Sequence, residues 1–409
     1  MRRRTRVTGI MTAILMAGVM AGCSVQAGKQ VEPTTGKQQT KETVQETVQE
    51  TELQKPTHPA PSQIQPFPDV EKETKAESLI GGKRIILMTD IHYLAQSLTD
   101  RGDMFQSMVE HGDGKLTNYV WEITDAALEE IKLLSPDALI ISGDLSLQGE
   151  KKSHEELAKK LDEVEKAGIT VLVIPGNHDI NNPSASVYSG GDRYPAEPTS
   201  PEDFERIYKE FGYSEAGSRD ANSLSYTYDL GPSMRLLMLD TCQYEPRNKV
   251  GGMIKTETYE WIKEQLKQAA RDSVILLPVA HHNLLAQSRM YTTQCAMDNN
   301  GEVIDLLQKY KIPLFLSGHL HVQRIRKHKA EPGVADDAYG IQEIITDAMS
   351  IPPCQYGVLQ WKEDGSMEYS TESVDVSVWA KRTEQENTDL LDFVGWSEHY
   401  IQKLIADQI

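Results

Sequence analysis

Aspartate, asparagine and histidine side chains follow directly after several short apolar segments of this sequence. In the segment VLVIPGNHDI, four apolar residues and a Pro-Gly break precede Asn177, His178 and Asp179. The residues of this kind are Asp90, His92, Asp144, Asn177, His178, His281, His319 and His321. Without His178 the set holds two carboxylates, one amide and four imidazoles, which is too many ligands for one tetrahedral zinc ion. The set suits two cations that share a bridging carboxylate.

The apolar segments alternate with amphipathic helical patterns in the first half of the sequence. We predict strands over residues 84–89, 138–142 and 171–174, and helices over residues 118–134 and 155–166. This order is typical of a buried parallel sheet, whose carboxyl edge binds ligands in α/β proteins. Ser153 and Glu156 predict a capping box at the start of the second helix, and His154 is predicted to be a solvated helix residue.

The second half of the sequence predicts a further set of strands and helices. The predicted strands are 224–229, 234–240, 273–280 and 312–317, and the predicted helices are 256–270 and 302–310. Short alternating runs near residues 341–345, 356–361 and 367–371 predict the closing strands of a second sheet. Residues 396–409 predict an amphipathic helix, and the sequence does not identify a partner for its apolar face.

The first residues have the composition of an export signal. Arginines at positions 2, 3, 4 and 6 precede an apolar run, residues 7–20, that is too short to span a bilayer. The run ends in Met20-Ala21-Gly22-Cys23, which resembles the lipobox of bacterial lipoproteins. The resemblance implies a signal peptide over residues 1–23 and a lipid on Cys23 that holds the protein at the extracytoplasmic face of a bacterial cell membrane. An uncleaved signal anchor is the alternative.

Composition divides the rest of the chain into three parts. Residues 24–80 are polar, with near-repeats such as ETVQETVQET, and predict a disordered tether. Residues 81–376 predict the folded domain that carries the strand-end residues, and residues 377–409 a helical tail, with the beginning of an accessory helical domain left open.

Charge and cysteine content exclude two classes of protein. The formal net charge of −19 argues against a nucleic-acid polymer as partner, because no basic face is available to neutralise phosphates. Cysteines at positions 23, 242, 295 and 354 show neither CxxC pairing nor zinc-finger spacing, so the chain is not a disulfide scaffold. The sequence leaves protein partners unknown.

The order of the ligand-type blocks resembles a known family. Five blocks of this sequence are similar, in order, to the five blocks of the calcineurin-like metallophosphoesterase superfamily. They are Asp90-x-His92, Gly143-Asp144, Gly176-Asn177-His178-Asp179, His281 and Gly318-His319-x-His321. Within it, the chain is similar to bacterial lipoproteins related to cyclic-nucleotide phosphodiesterases. The resemblance implies an α/β fold, a four-layer α/β/β/α sandwich of two mixed sheets flanked by helices.

The resemblance also implies roles for the site residues. One metal would be held by Asp90, His92, Asp144 and His321, and the other by Asp144, Asn177, His281 and His319. Manganese, iron and zinc are all compatible with these ligands. A hydroxide that bridges the two metals would attack phosphorus. His178, which is not a ligand, is the candidate general acid for the leaving alkoxide or a donor to the phosphoryl oxygen, and Asp179 is predicted to orient its imidazole.

Substrate contacts are predicted from position alone. The resemblance implies that His281 is the ligand, and strand alternation puts His282 on the opposite side of the strand end, where it is a candidate to line the substrate pocket. Tyr93, Asn118 and Tyr188 are candidate substrate contacts from nearby loops, with core packing an equal alternative for the two tyrosines.

Departures from the protein serine/threonine phosphatases narrow the expected activity. The second block continues as GDLSLQG without an arginine, and the third ends in Asp179 rather than glutamate. The favoured function is hydrolysis of a small phosphodiester that resembles a cyclic nucleotide. A phosphomonoesterase such as a nucleotidase is the first alternative, and a surface lipoprotein that binds metal or ligand without catalysis is the second.

Overall fold

The computed structural model describes residues 80–287, 294–328 and 340–407. The signal peptide, the lipidation of Cys23 and residues 24–79 of the tether predicted over residues 24–80 therefore lie outside the described residues. Among the helices within those ranges, none combines the length and the apolar character needed to cross a membrane.

The first sheet has five strands in the order β14-β13-β1-β2-β3. Its parallel part consists of β1 (Arg84–Met88), β2 (Ala138–Ser142) and β3 (Thr170–Ile174), which are aliphatic and almost wholly buried, as expected for strands covered on both faces. β13 (Gln355–Trp361) pairs antiparallel with β1, and β14 (Met367–Ser373) pairs antiparallel with β13. The prediction that these last two strands close the second sheet is wrong, because alternation indicates a strand but not its partner.

The second sheet has seven strands in the order β11-β12-β10-β9-β8-β7-β6. They are β6 (Ser218–Arg219), β7 (Tyr226–Asp229), β8 (Met234–Leu239), β9 (Ile275–Ala280), β10 (Leu314–Ser317), β11 (Arg324–Lys327) and β12 (Gln342–Ile345). β8, β9, β10 and β12 run parallel, and the outer strands β6, β7 and β11 pair antiparallel. The second sheet, like the first, is therefore mixed.

Strand β8 shows how the layers are arranged. Its residues Leu236 and Met238 pack in the core that also contains β1, β2 and β3, whereas Leu237 and Leu239 pack in a separate core with helices α5 (Thr256–Asp272) and α6 (Asn300–Lys309). Because successive side chains of a strand point to opposite faces, the second sheet lies between the first sheet and these helices. Helices α2 (Val120–Leu134) and α3 (Lys151–Glu165) contribute to the core of the first sheet. The predicted α/β/β/α sandwich is confirmed.

Shorter elements complete the described chain. They are 3₁₀ turns at Gln96–Leu98 and Thr117–Tyr119, α1 (Asp103–Glu110), the hairpin β4 (Ser186–Ser189) and β5 (Asp192–Pro195), α4 (Pro201–Ile207), a π-helical turn at Lys209–Tyr213, α7 (Val376–Arg382), α8 (Thr388–Leu391) and α9 (Phe393–Asp407).

The start of α3 differs from the prediction. The helix begins at Lys151, so Ser153 lies in its first turn rather than at its N-cap, and the predicted capping box is absent. The Ser153 hydroxyl donates to Glu150 Oε2 (3.2 Å) and accepts from the Ala95 N–H (3.0 Å). His154 is fully buried, with Nδ1 2.9 Å from the Tyr208 hydroxyl. The prediction of a solvated His154 is therefore wrong, because the earlier helix start turns this side chain inward.

The C-terminal helix α9 packs against the segment that precedes α2. The rings of Phe393 and Trp396 contact Tyr119 edge-on, with centroids 6.3 and 4.7 Å away. The Tyr400 hydroxyl donates to the Val109 carbonyl at 2.8 Å. The apolar face of the helix, for which the sequence identified no partner, is thus covered by the catalytic core.

Candidate metal centre

The predicted ligands lie at strand ends where the backbone adopts an unusual conformation. Asp90, His92, Asp144, His319 and His321 have φ values of 54°, 50°, 49°, 72° and 52°. This left-handed region is uncommon for residues other than glycine, and such strain concentrates at functional sites. The neighbouring glycines permit the close approach of the loops, since a Cβ on Gly176 would lie 2.2 Å from the Asp144 backbone nitrogen.

Four buried side chains form the first group, Asp90, His92, Asp144 and His321. Their ligand atoms lie within 4.8 Å of one another. His321 Nε2 is 3.0 Å from Asp90 Oδ1 and 3.2 Å from His92 Nε2. His92 Nε2 is 3.8 Å from Asp144 Oδ2.

The second group surrounds the same Asp144 oxygen. His281 Nε2 is 3.4 Å from Asp144 Oδ2 and 3.1 Å from Asn177 Oδ1. His319 Nδ1 is 3.3 Å from His281 Nε2. The outward nitrogens of both histidines face carbonyl oxygens, because His281 Nδ1 is 2.9 Å from the Ser142 oxygen and His319 Nε2 is 2.7 Å from the Gln294 oxygen. These contacts assign the proton to the outward nitrogen and leave a lone pair on the inward one.

The donor set fits a pair of cations. Asp90 Oδ2 accepts from the Thr89 hydroxyl (2.6 Å) and from the His319 N–H (3.0 Å), and Asp144 Oδ1 accepts from the His178 N–H (2.8 Å). The other oxygen of each carboxylate faces the imidazole nitrogens of the two groups, of which those of His281 and His319 present a lone pair. Buried carboxylates and lone pairs turned toward each other repel unless cations lie between them.

Electrostatics keeps the carboxylates in the form that binds a metal. Burial opposes ionisation of Asp144, but His281 and His178 hold the pKa of Asp144 well below its usual range. Burial likewise opposes ionisation of Asp90, whose pKa is lowered overall by His321. Both side chains are therefore anionic at neutral pH.

The histidines respond to the same surroundings. Burial, with Lys115, lowers the pKa of His92 well below its usual range, and burial, with His281, lowers the pKa of His319 to about 4. The pKa of His281 is raised to about 9, because Asp144 outweighs the effect of burial. A cation beside Asp144 would reverse this last shift, since it would repel a proton on His281.

His178 lies beside both groups and keeps access to solvent. Its side chain is 18% exposed, whereas that of Asp144 is 2% exposed, so a substrate can reach the imidazole. Its Nε2 is 4.0 Å from Asp144 Oδ2, and its Nδ1 is 2.8 Å from the Leu147 carbonyl oxygen. The ring therefore turns Nε2 toward the metal groups.

Asp179 does not orient His178, contrary to the prediction. Its carboxylate accepts hydrogen bonds from the N–H groups of Leu145 (3.1 Å), Ser146 (2.9 Å) and Gly176 (2.8 Å). The loop after β2 and the loop after β3 have left the sheet, so these buried N–H groups need another acceptor. Asp179 ties the two loops together, and the Leu147 carbonyl orients the imidazole.

Sequence comparison agrees with this geometry. The family model described as calcineurin-like phosphoesterase matches residues 83–323, more than half of the chain. The chain belongs to the calcineurin-like phosphoesterase family.

Several curated relatives carry the name "Probable cyclic nucleotide phosphodiesterase". The relative from Synechococcus is 24% identical over 48% of this chain and 62% of its own length. The relative from Ruthia magnifica is 23% identical over 47% of this chain and 66% of its own length. The match thus spans less than two thirds of these relatives. Among solved structures, a dimetal phosphatase from Danio rerio is 14% identical, covers 72% of this chain and 99% of its own, and has a TM-score of 0.49. A purple acid phosphatase from yellow lupin is 17% identical, covers 70% of this chain and 51% of its own, and has a TM-score of 0.45.

His282 lies inside the phosphoesterase site rather than on the opposite side of the strand end. It is fully buried, its ring centroid is 4.6 Å from that of His319, and its nitrogens face the Thr241 hydroxyl and the Val250 carbonyl, both at 2.8 Å. The predicted alternation fails because β9 ends at Ala280 and the period of a strand no longer applies. With both nitrogens hydrogen-bonded and no exposed surface, His282 packs behind the ligands.

The candidate substrate contacts have different positions. Tyr93 is fully buried and its hydroxyl donates to Glu156 at 2.7 Å, while Tyr188 packs edge-on against Phe105 with centroids 6.1 Å apart. The predicted substrate contact is wrong for both tyrosines, and core packing, the alternative, is correct. Asn118 lies in the 3₁₀ turn before α2, and none of the described side chains or main-chain groups donates to its buried Oδ1.

Sequence analysis missed an ion pair near the site. Asp113 and Lys115 pair within the segment HGDGKLT, which had no predicted role, and Lys115 is 9% exposed. The next N–H, of Leu116, donates to the Ser350 carbonyl (2.7 Å), and the Ser350 hydroxyl donates to the Asp90 carbonyl (2.9 Å). The available signal was the spacing of Asp and Lys between glycines, although such spacing is common in exposed turns.

Proposed function

We propose that this protein is a two-metal phosphoesterase that hydrolyses a small phosphodiester, with a cyclic nucleotide as the favoured class. The observation that carries the proposal is the position of Asp144 Oδ2, which is 3.8 Å from His92 Nε2 and 3.4 Å from His281 Nε2 and so belongs to both ligand groups. The names of the curated relatives support a cyclic nucleotide as substrate.

Asp90, His92, Asp144 and His321 would hold one ion, and Asp144, Asn177, His281 and His319 the other. When bound, the two ions would supply an activated water and neutralise charge on the phosphoryl oxygens. Imidazole, carboxylate and amide ligands suit manganese, iron or zinc.

His178 supplies the proton that the leaving group needs. The acid is the doubly protonated imidazole ring of His178, whose Nδ1 proton stays on the Leu147 carbonyl. As the oxygen of water bonds to phosphorus and that water releases one proton to solvent, the bond between phosphorus and the ester oxygen breaks, and the Nε2 proton of His178 moves to the ester oxygen. The Leu147 carbonyl holds Nδ1 at 2.8 Å, so only Nε2 is free to face the leaving group. A general acid of this kind contributes about 10²–10⁴-fold to the rate.

We also propose that Cys23 carries a lipid and that the enzyme acts at the outer face of a bacterial cell membrane. The support is the sequence of residues 1–23, with its arginines, its apolar run and its terminal cysteine. Cys23→Ser should release the protein from the membrane fraction of expressing cells. Retention of this variant in the membrane would contradict the lipid anchor.

The test of the activity compares two chromogenic substrates. The full chain, stripped of metal and reloaded with Mn²⁺, is assayed with bis-p-nitrophenyl phosphate, a diester, and p-nitrophenyl phosphate, a monoester. We expect faster turnover of the diester, lost in Asp144→Ala, and hydrolysis of a 2′,3′- or 3′,5′-cyclic nucleotide. Faster turnover of the monoester would favour a phosphatase. Folded, metal-loaded protein that hydrolyses none of these substrates would favour a binding protein without catalysis.

A further inference from the structure

A buried carboxylate outside the predicted ligands connects two of the ligand loops. Glu343 lies in β12, within a strand of otherwise aliphatic and polar uncharged residues, and it is fully buried. A buried carboxylate is costly unless its oxygens are well hydrogen-bonded. The groups that bond to Glu343 therefore indicate what the carboxylate is for.

The first oxygen of Glu343 joins the loop after β9 to the end of β10. Oε1 accepts from the Leu284 N–H at 2.7 Å and from the Ser317 hydroxyl at 2.7 Å. Leu284 follows the ligand His281 by three residues, and Ser317 precedes the ligand His319 by two. One oxygen thus bonds to the loop that carries His281 and to the last residue of β10, after which the loop that carries His319 begins.

The second oxygen and a neighbouring amide extend this connection. Glu343 Oε2 accepts from the Leu285 N–H (2.8 Å) and from Gln287 Nε2 (3.1 Å). Asn283 Nδ2 donates to the Ser317 hydroxyl (3.0 Å) and to the Gly318 carbonyl (3.0 Å). The N–H groups of Leu284 and Leu285 lie beyond the end of β9, so no neighbouring strand supplies their acceptors and the carboxylate does.

We infer that Glu343 is a positioning residue that holds His281 and His319 at the separation the second metal requires. This inference rests on the proposed two-metal site. The two ligand nitrogens are 3.3 Å apart, and the bonds of Glu343 begin two and three residues away from them. The first group depends on Glu343 less, because three of its four ligands, Asp90, His92 and Asp144, lie on loops after β1 and β2, and only His321 lies on the loop after β10.

The arrangement resembles that of Asp179 on the other side of the site. Asp179 ties the loop after β2 to the loop after β3, and Glu343 ties the loop after β9 to the last residue of β10. Each carboxylate accepts from two or more backbone N–H groups and one serine hydroxyl, Ser146 for Asp179 and Ser317 for Glu343. Asp179 lies within a sequence block of the family, whereas Glu343 lies outside all five blocks.

The experiment measures metal binding rather than turnover. Metal-free full chain is titrated with Mn²⁺, and free Mn²⁺ and the spin-coupled signal of paired Mn²⁺ are followed by electron paramagnetic resonance. In Glu343→Gln we expect the affinity of the second binding event for Mn²⁺ to fall about 10–100-fold, because this is the usual effect of losing a residue that positions a metal ligand. The affinity of the first binding event should change by much less. Glu130→Gln is the matched control, since Glu130 also accepts from a hydroxyl, that of Tyr356 in β13, and from a backbone N–H, that of Asp375 after β14.

The outcomes separate this inference from the proposed activity. Wild-type affinity for both ions in folded Glu343→Gln, or equal weakening of both events, would overturn the inference and leave the activity untouched. A wild type that binds paired Mn²⁺ but hydrolyses no phosphoester would refute the activity and leave the inference standing. If Glu343→Gln does not fold, Ser317→Ala removes one bond of Glu343, and an unchanged second event in that variant would overturn the inference.

Discussion

Replacement of His178 by glutamine tests the assignment of the general acid. The His178 backbone N–H donates to Asp144 Oδ1 at 2.8 Å, and this bond survives a change of side chain. A glutamine amide can also donate to the Leu147 carbonyl, which His178 Nδ1 faces at 2.8 Å. The substitution therefore removes a transferable proton while the metal ligands keep their positions.

The expected loss depends on how strongly the leaving group needs a proton. A cyclic nucleotide expels a ribose alkoxide, which is strongly basic, so His178→Gln should slow its hydrolysis about 10²–10⁴-fold, or about 3–5 kcal/mol in the activation free energy. Bis-p-nitrophenyl phosphate expels a weakly basic phenolate, so its hydrolysis should slow by less than about tenfold. The assay is kcat/KM for both substrates with wild type and variant under matched Mn²⁺ loading.

Asp179→Asn is the matched comparison for this assay. Asp179 accepts from Leu145, Ser146 and Gly176 and does not contact the His178 ring, so an amide in its place would turn a donor toward buried N–H groups. We expect a loss of about 1–3 kcal/mol in the free energy of unfolding. We also expect kcat/KM to change by the same factor for the two substrates. Equal slowing of both substrates by His178→Gln, or a leaving-group dependence in Asp179→Asn, would refute the assignment of the proton to His178.

Three further predictions concern stability, each measured by urea unfolding of the metal-free full chain. Burial raises the pKa of Glu150 to about 7, so the folded state binds the Glu150 proton more tightly than the unfolded state does. The stability that this proton contributes is complete below about pH 4.5, and about 3 kcal/mol of it is lost as the pH rises to about 7. Glu150→Gln should remove this loss, and a variant whose stability depends on pH as that of wild type does would contradict the prediction. Phe393→Ala should lower the free energy of unfolding by about 3–5 kcal/mol because the buried Phe393 ring anchors α9, whereas replacement of the neighbouring, exposed Val394 by alanine should lower it by less than about 0.5 kcal/mol. Equal effects of the two substitutions would contradict the packing of this helix. Lys115→Met should lower the free energy of unfolding by about 1–3 kcal/mol because the Asp113 carboxylate, 20% exposed, loses its charged partner, and the added Asp113→Asn should recover most of this loss; an additive double variant would contradict a coupled pair.

The sequence predicts the strand-end positions of the ligands because two simple signals coincide there. Short aliphatic runs indicate buried parallel strands, and the residues directly after them must meet at the carboxyl edge of a sheet. Asp90, Asp144 and His281 follow β1, β2 and β9 in this way, and the structure brings all three together. The fold follows from the same strands and the helices between them.

The errors concern side chains whose direction depends on the chain after the strand has ended. His282 lies beyond β9, so alternation does not fix which way it points, and Asp179 turns toward N–H groups of another loop that the sequence cannot place. Sheet membership is a similar case, because β13 pairs with β1 across more than two hundred residues of chain and β14 joins the sheet through β13. Glu343 gives no local signal at all, since its role comes from Leu284 and Ser317, which are distant in sequence.

The most direct test of the two-metal account is a count of bound Mn²⁺ in Asp144→Ala. Metal-free full chains of wild type, Asp144→Ala and Asn177→Ala are loaded with Mn²⁺, freed of excess metal by gel filtration and analysed for metal by mass spectrometry. Because Asp144 Oδ2 faces both ligand groups, we predict about two ions in wild type, about one in Asn177→Ala and nearly none in Asp144→Ala, with phosphodiester hydrolysis lost in the last. A folded Asp144→Ala protein that keeps one ion as firmly as Asn177→Ala does, or a wild type that holds a single ion, would contradict the shared carboxylate.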